Sequence, residues 1–404
     1  MFRLFFRVLF RLAIGMYLGF SISCQTTQMA LTVRPFEDRD ADGFWHVRDL
    51  TYNNGQTTPP ENRNRITSDI VAEENGQIMG PISVLDLTCT RENRATLKCA
   101  GIAGVAVAPM HRHLGVGSAM MAWAVPYLRS QGYHIASLYG FRESFYRKFG
   151  YEVCGKRLEM EVPSHRLPRI KPELPVKLLN WQDHAQLQAC QEAFARKYSA
   201  MNIREEMHWK RVLNDKKAIY AVGDPIEAYA ILDHNWEFWV PQSVNEIAYS
   251  SVAGFKSIMA VLSQICINKT SLKWYDALDT PYLQLFADQG VIARDERRIM
   301  YRLLDVPGAI EALAPTTEGA FSMEVKDDLI AENAGCWRVE DNGSKISCQR
   351  VDSADLYGDI QAWTVAYLGD PGIQRGVIEE REAGALAAAA RILTPSVAYC
   401  QEFF

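Results

Sequence analysis

Paired metal-ligand motifs are missing from this chain. Its nine cysteines run from Cys24 to Cys400 without a C-x-x-C pair, and its eight histidines include no H-E-x-x-H and no i, i+4 pair. An odd, unpatterned cysteine count argues against a disulfide framework and a zinc site, so reduced core thiols are expected and no metal is inferred. Cys89 and Cys99 are the one pair placed to face each other across a hairpin. Basic runs are also absent after residue 30, and the net charge is −5. That balance speaks against nucleic acid as the main partner and is compatible with cationic or amine substrates. With 48% hydrophobic and 23% charged residues the composition is that of a soluble globular protein, and 404 residues exceed one ordinary core, so two or three domains are expected.

Residues 1–28 stand apart. Arg3, Arg7 and Arg11 precede an apolar run from Leu12 to Ile22, and small residues flank Cys24. The stretch is too short and too interrupted by arginine to read as a membrane span. Two readings stay open: a secretory signal of lipoprotein type, or a non-structural extension ahead of Met29. Ser21 stands where a lipoprotein signal wants a larger aliphatic residue, and this weighs toward the second. Membrane contact is expected only under the first.

The chemistry concentrates between Gly101 and Tyr151. Ile102 to Ala108 is an apolar, β-branched run that reads as a buried strand, and Pro109 stops it. Arg112-His113-Leu114-Gly115-Val116-Gly117 forms a short loop. From Ser118 to Arg129 the apolar positions Met120, Met121, Ala124 and Leu128 follow helical spacing. Strand, glycine loop and helix make a phosphate cradle: the first helical N–H groups lack partners, and the dipole favours an anion there. Gly115 and Gly117 let main-chain nitrogens from Leu114 to Ser118 close on a diphosphate, and Arg112 and His113 add charge at the rim. Two glycines alone also fit a plain strand-to-helix turn. The next segments decide: His134 to Tyr139 reads as a second strand, followed by a helix and turn in Glu143-Ser144-Phe145-Tyr146-Arg147-Lys148-Phe149-Gly150-Tyr151.

Around this core the first unit reads as a strand from Leu31 to Pro35 and a helix from Asp40 to Tyr52. A loop over 53–65 leads to a hairpin of Ile70–Glu74 and Gln77–Leu87 across Asn75-Gly76. Arg91 to Arg94 is a turn, Ala95 to Val107 continues the sheet, and Tyr151 to Val162 is a final strand. After a Pro-containing connector, Trp181–Tyr198 and Ile203–Leu213 read as helices and Ala218–Val222 and Ile226–Asp233 as a hairpin. Val244–Ser251, Phe255–Asn268 and Ser271–Tyr275 then repeat strand, helix, strand, but Ser250-Ser251-Val252-Ala253-Gly254 replaces the cradle. From Pro307 a helix at Ala309–Leu313 and short strands at Gly319–Lys326, Gly335–Glu340, Lys345–Arg350 and Ser353–Tyr357 precede helices at Ile360–Leu368 and Glu382–Leu393.

Arg-x-x-Gly-x-Gly after V-x-V-x-P resembles the acetyl-coenzyme A element of the GNAT acetyltransferases, and the Tyr-x-x-Phe-Gly-Tyr ending is typical of that family. The strands-then-helices tail resembles the sterol carrier protein fold. The combination resembles the enhanced intracellular survival (Eis) family of N-acetyltransferases. The resemblance implies an α/β (α+β) chain: a leader (1–28), a catalytic GNAT domain (29–168), a degenerate GNAT-like domain (169–307) and a sterol-carrier-like domain (308–404). It implies acetyl-CoA as co-substrate, held by Val105, Ala106, Val107, Arg112, His113, Leu114, Gly115, Val116, Gly117 and Ser118. By the family pattern Tyr146 protonates the leaving thiolate, with Tyr151 the weaker choice, and the carboxylate of Phe404 is the base. Asp40, Trp45 and Glu402, with Asp42 and Glu61, are expected at the acceptor pocket. The implied acceptor is a polyamine, an aminoglycoside-like amine or a lysine. A cytoplasmic homo-oligomer, commonly a hexamer, is the implied form. The alternative is a lipid- or sterol-binding protein working through the tail domain, with a vestigial transferase site.

Overall fold

The computed structural model describes residues 31–402 except 61–62, 64–68, 156, 234, 280–284, 287–289 and 297–298. The leader 1–28, Glu61, Phe403 and Phe404 lie outside the described residues.

The first unit opens with β1 (Thr32–Pro35), α1 (Ala41–Tyr52), β2 (Ile70–Glu74), β3 (Gln77–Arg91) and β4 (Ala95–Ala103). It continues through α2 (Val116–Ser130), β5 (Ile135–Tyr139), the single turn α3 (Glu143–Tyr146), β6 (Glu152–Val153) and β7 (Arg157–Pro163). The second unit begins with β8 (Val176–Leu179), α4 (Gln188–Ala195), β9 (Ser199–Ile203), α5 (Glu206–Val212), β10 (Lys217–Val222) and β11 (Ala228–Asp233). β12 (Gln242–Tyr249), α6 (Val252–Ile265), β13 (Ser271–Asp276), β14 (Ile292–Glu296) and β15 (Ile299–Leu303) complete it. The third holds α7 (Val306–Glu311), β16 (Gly319–Lys326), β17 (Gly335–Asp341), β18 (Ile346–Arg350) and β19 (Leu356–Asp359). α8 (Ile360–Leu368), β20 (Glu379–Glu380) and α9 (Ala385–Ile392) follow.

Local chemistry accounts for these elements. The β2–β3 turn is Asn75-Gly76 with φ of 56° and 77°, the left-handed pair a two-residue hairpin requires. On α2 the buried residues Met120, Met121, Ala124, Val125 and Leu128 form one stripe, and it packs on the first sheet. α8 starts where the Asp359 carboxylate accepts the Ala362 N–H at 2.8 Å.

Two sheets repeat one plan. The first has order β1-β2-β3-β4-β5-β15-β6 with β9 alongside β3, and the second has β14-β7-β13-β12-β11-β10-β8. Every pairing in them is antiparallel except β4 with β5 and β12 with β13. Each parallel pair is joined by its crossover helix, α2 or α6. The units also exchange strands. β7 leaves the first unit to pair with β13 and β14, and β15 returns from the second to pair with β5 and β6. The expected single strand from Tyr151 to Val162 is therefore two, one in each sheet, and the expected division after residue 168 runs through both sheets. Pairing of β9 with β3 likewise shortens the helices expected on either side of it.

The third sheet has order β18-β17-β16-β19-β20. It shares one continuous core with the first unit. Arg91, expected in a turn, ends β3 fully buried. Its Nε donates to the Tyr367 carbonyl at 2.5 Å, Nη1 to Ser199 Oγ at 3.1 Å, and Nη2 to the Thr394 carbonyl, so one guanidinium fastens three segments. The described cysteines are free thiols. Cys89 sits opposite Leu97 and Cys99 opposite Leu87, a diagonal rather than a facing pair.

Candidate active site

The site begins where two strands part. Parallel pairing of β4 with β5 ends at Ile102 and Leu138. Beyond that point the chain stays on β3: the Ala106 N–H donates to the Pro81 carbonyl at 3.1 Å and the Ala108 N–H to Met79 at 3.0 Å. Successive amides of an extended chain point to opposite sides. Val105 and Val107 therefore turn theirs into the parting, and both line a cavity of 650 Å³. Ala106 faces the sheet and is buried there, so of the three expected strand residues it serves the fold and not the cavity.

The N-terminus of α2 closes one end of this cavity. Gly115 is the N-cap at φ 85°, a left-handed conformation that a side chain strains, and no side chain caps the helix. The first helical N–H groups have no partner within the helix. Arg112, His113, Gly115, Val116, Gly117 and Ser118 all line the cavity, whereas Leu114 is exposed and off its wall. Arg112 Nε leans back on the Val107 carbonyl at 3.4 Å. A Cβ added at Gly117 would lie 3.6 Å from both Phe145 Cζ and Val107 Cγ2, so cradle, strand and aromatic turn meet at one point.

Tyr146 forms the opposite wall. It is buried, with Phe141 and Phe145 edge-on to its ring at 5.9 and 5.0 Å. Burial pushes its phenol above the ordinary value near 10, and the neighbouring Tyr52 adds to the rise. The group holds its proton throughout the neutral range. Tyr151 is fully buried in the same core; its hydroxyl has no hydrogen-bond partner and it does not line the cavity.

Five wall residues carry no local signal in the sequence: Thr51, Tyr52, His111, Phe141 and Arg142. Tyr52, in the last turn of α1, donates its hydroxyl to the Val105 carbonyl at 2.8 Å and so braces the parted strand. His111 Nε2 is buried without a partner.

The expected acceptor residues are used otherwise. Asp40 is buried and takes both Arg34 Nη atoms at 2.6 and 2.7 Å, closing the turn before α1. Trp45 packs against Phe44 at 5.9 Å and under the Arg48 guanidinium at 5.3 Å. Exposed Asp42 meets Arg63 at 3.3 Å. Glu402 is buried and accepts from Arg204 Nε at 2.5 Å, while its main-chain carbonyl accepts from the Tyr139 hydroxyl at the end of β5. None of the four lines the cavity. The Phe404 carboxylate and Glu61 lie outside the described residues.

The chain is similar in sequence and fold to known proteins. Residues 32–154 match an acetyltransferase (GNAT) domain, and residues 306–401 a sterol carrier protein domain. The chain is 24% identical to N-acetyltransferase Eis of Mycobacterium tuberculosis, over 80% of this chain and 81% of that one. It is equally identical, at 24%, to an uncharacterized N-acetyltransferase of Streptomyces avermitilis, over 79% of this chain and 85% of that one. A GCN5-related N-acetyltransferase from Anabaena variabilis superposes with a TM-score of 0.82 at 18% identity, covering 93% of this chain and all (100%) of its own. Eis1 from Mycobacterium abscessus superposes at 0.74, also 18% identical, over 93% and 100%.

Proposed function

We propose that this chain, an Eis-like GNAT acetyltransferase, transfers the acetyl group of acetyl-CoA directly to a primary amine of a small molecule or protein. The observation that carries this reading is the shared cavity. One end offers uncapped helix N–H groups and Arg112 for a diphosphate, and the other offers a buried, protonated Tyr146.

The diphosphate rests on the α2 N-terminus, and the Val105 and Val107 amides face the thioester carbonyl. The amine nitrogen bonds to that carbon, and the C–S bond breaks. Its electron pair leaves on sulfur, and the thiolate takes the Tyr146 proton. The attacking amine gives up its own proton to the Phe404 carboxylate. A terminal carboxylate, ordinarily near 3.5, becomes a stronger base when withdrawn from water. Anchoring of Glu402 beside β5 supports that role by fixing the tail two residues before its end. Cytoplasmic residence and homo-oligomerisation belong to the same reading. An intact cradle facing an intact tyrosine favours it over lipid binding with a vestigial transferase site.

Release of free thiol from acetyl-CoA with a panel of mono- and polyamines tests the reading. Tyr146→Phe lowers kcat by about 100-fold or more while acetyl-CoA affinity stays at the parent value. Removal of Phe404 lowers kcat comparably. Parent turnover in both variants sinks the assigned roles.

A further inference from the structure

The second unit lacks a cradle, yet its strands part as those of the first do. Pairing of β12 with β13 is confined to Gln242–Leu272 and Ser243–Lys273, although β12 continues to Tyr249 and β13 to Asp276. In the first unit the corresponding parting holds the thioester-facing amides. In the second, the chain's own C-terminal tail reaches both parted strands. Tyr399 is fully buried among Phe194, Tyr198 and the rest of the second core, and its hydroxyl donates to the Tyr275 carbonyl on β13 at 3.2 Å. Gln401 Nε2 donates to the Ile247 carbonyl on β12 at 2.7 Å. Upstream, the Tyr399 N–H donates to the Ser199 carbonyl at 2.9 Å.

The tail then meets a buried charge cluster. Arg204 donates Nη1 and Nη2 to the two Glu246 oxygens at 2.8 and 2.5 Å, and its Nε to Glu402 at 2.5 Å. The Trp209 ring lies 4.7 Å from the guanidinium, and the Tyr229 hydroxyl donates to Glu246 at 2.5 Å. Glu246 alone satisfies the fork of Arg204. Without Glu402 the buried Nε is an orphan donor, and an orphan costs more than an ordinary hydrogen bond contributes. The tail is thus chosen by the cluster and not merely tolerated by it. From Glu402 a second contact crosses to the first unit, where the Tyr139 hydroxyl holds its carbonyl.

We infer that the second unit's parted strands seat the C-terminal tail where the first unit's seat an acyl donor, with Arg204 as the positioning residue that fixes it at Glu402. The degenerate unit is then a guide for the tail, and the inference rests on the terminal-base reading only for its effect on catalysis.

Carboxypeptidase A digestion of the intact chain, with release of phenylalanine followed in time, tests the seat directly. Glu402→Ala speeds release about tenfold with only a small fall in melting temperature from the orphaned Nε, the chain staying folded, and Glu402→Gln, which keeps an acceptor for Nε, falls between. The same Glu402→Ala protein loses about tenfold in kcat with KM for acetyl-CoA unmoved, because the tail and not the cradle is disturbed. Arg204→Lys repeats the pattern if it folds, and the Glu402 variants decide the matter if it does not. Parent rates of both release and turnover in Glu402→Ala overturn the inference. Faster release at parent kcat leaves the seat standing and removes Phe404 as the base.

Discussion

The N-terminus of α2 and that of α6 occupy the same place in two copies of one plan, and only one of them is open. At α2 the cap is Gly115, no side chain returns to the helix, and the free amides look into the cavity. At α6 the cap is Ser251, whose hydroxyl accepts the Gly254 N–H at 2.9 Å and donates to the Glu227 carboxylate. The Glu227 main-chain carbonyl takes the Ser250 N–H at 2.8 Å as well. A capped helix is more stable, and one with a carboxylate already at its positive end has its anion supplied from within. The comparison teaches that the fold makes an anion site by default and that self-capping removes it. On the proposed reading, competence for coenzyme binding lies in what is left off the helix end.

Importing the second unit's charge into the first gives the largest effect. Gly117→Asp fits, since its Cβ would meet only ordinary contacts at 3.6 Å, but it sets a carboxylate against the diphosphate. Acetyl-CoA affinity falls by about 100-fold or more, read as dissociation constant or KM, with thermal stability near the parent value.

A smaller effect separates the units by pH. Asp276, at the end of β13, is buried, and burial pushes its carboxyl up to about 7 despite bonds from Trp274 Nε1 at 3.1 Å and the Ala277 N–H at 2.8 Å. The folded state therefore binds the proton more tightly than the unfolded state. Stability is fully present below the ordinary value near 3.9 and is lost as pH rises toward 7. Asp276→Asn flattens that decline and gains relative stability above pH 7, measured by denaturant midpoints across pH 4 to 8. An unchanged slope contradicts the assignment.

The smallest effect is expected from uncapping α6. Ser251→Ala costs about 1 kcal/mol of stability and leaves turnover and acetyl-CoA affinity at parent values, because that helix end holds no donor. A change in coenzyme affinity there breaks the comparison.

Much of the open site was legible. V-x-V-x-P followed by Arg-x-x-Gly-x-Gly places strand, loop and helix in consecutive residues, so local pattern locates the loop and the following strand and aromatic turn mark it as a candidate cradle, and Asn75-Gly76 announces its hairpin locally. Tyr146 lies in the adjoining turn. What local pattern cannot carry is partnership at long range. Arg34 claims Asp40 and Arg204 claims Glu402, so carboxylates that look available for an amine are already paired. Exchange of β7 and β15 depends on strands far apart in the chain pairing edge to edge; β7 falls in a stretch that reads locally as the final strand of its own unit, and β15 lies in a stretch that carries no strand reading of its own. Tyr52 reaches Val105 from the last turn of a helix whose polar positions look like solvent-facing ones.

Titration calorimetry of the whole chain with acetyl-CoA tests the central claim most directly. One site per chain is expected, abolished by Gly117→Asp and untouched by Ser251→Ala. Absence of binding to the parent chain, or a second site lost with changes at α6, contradicts the account.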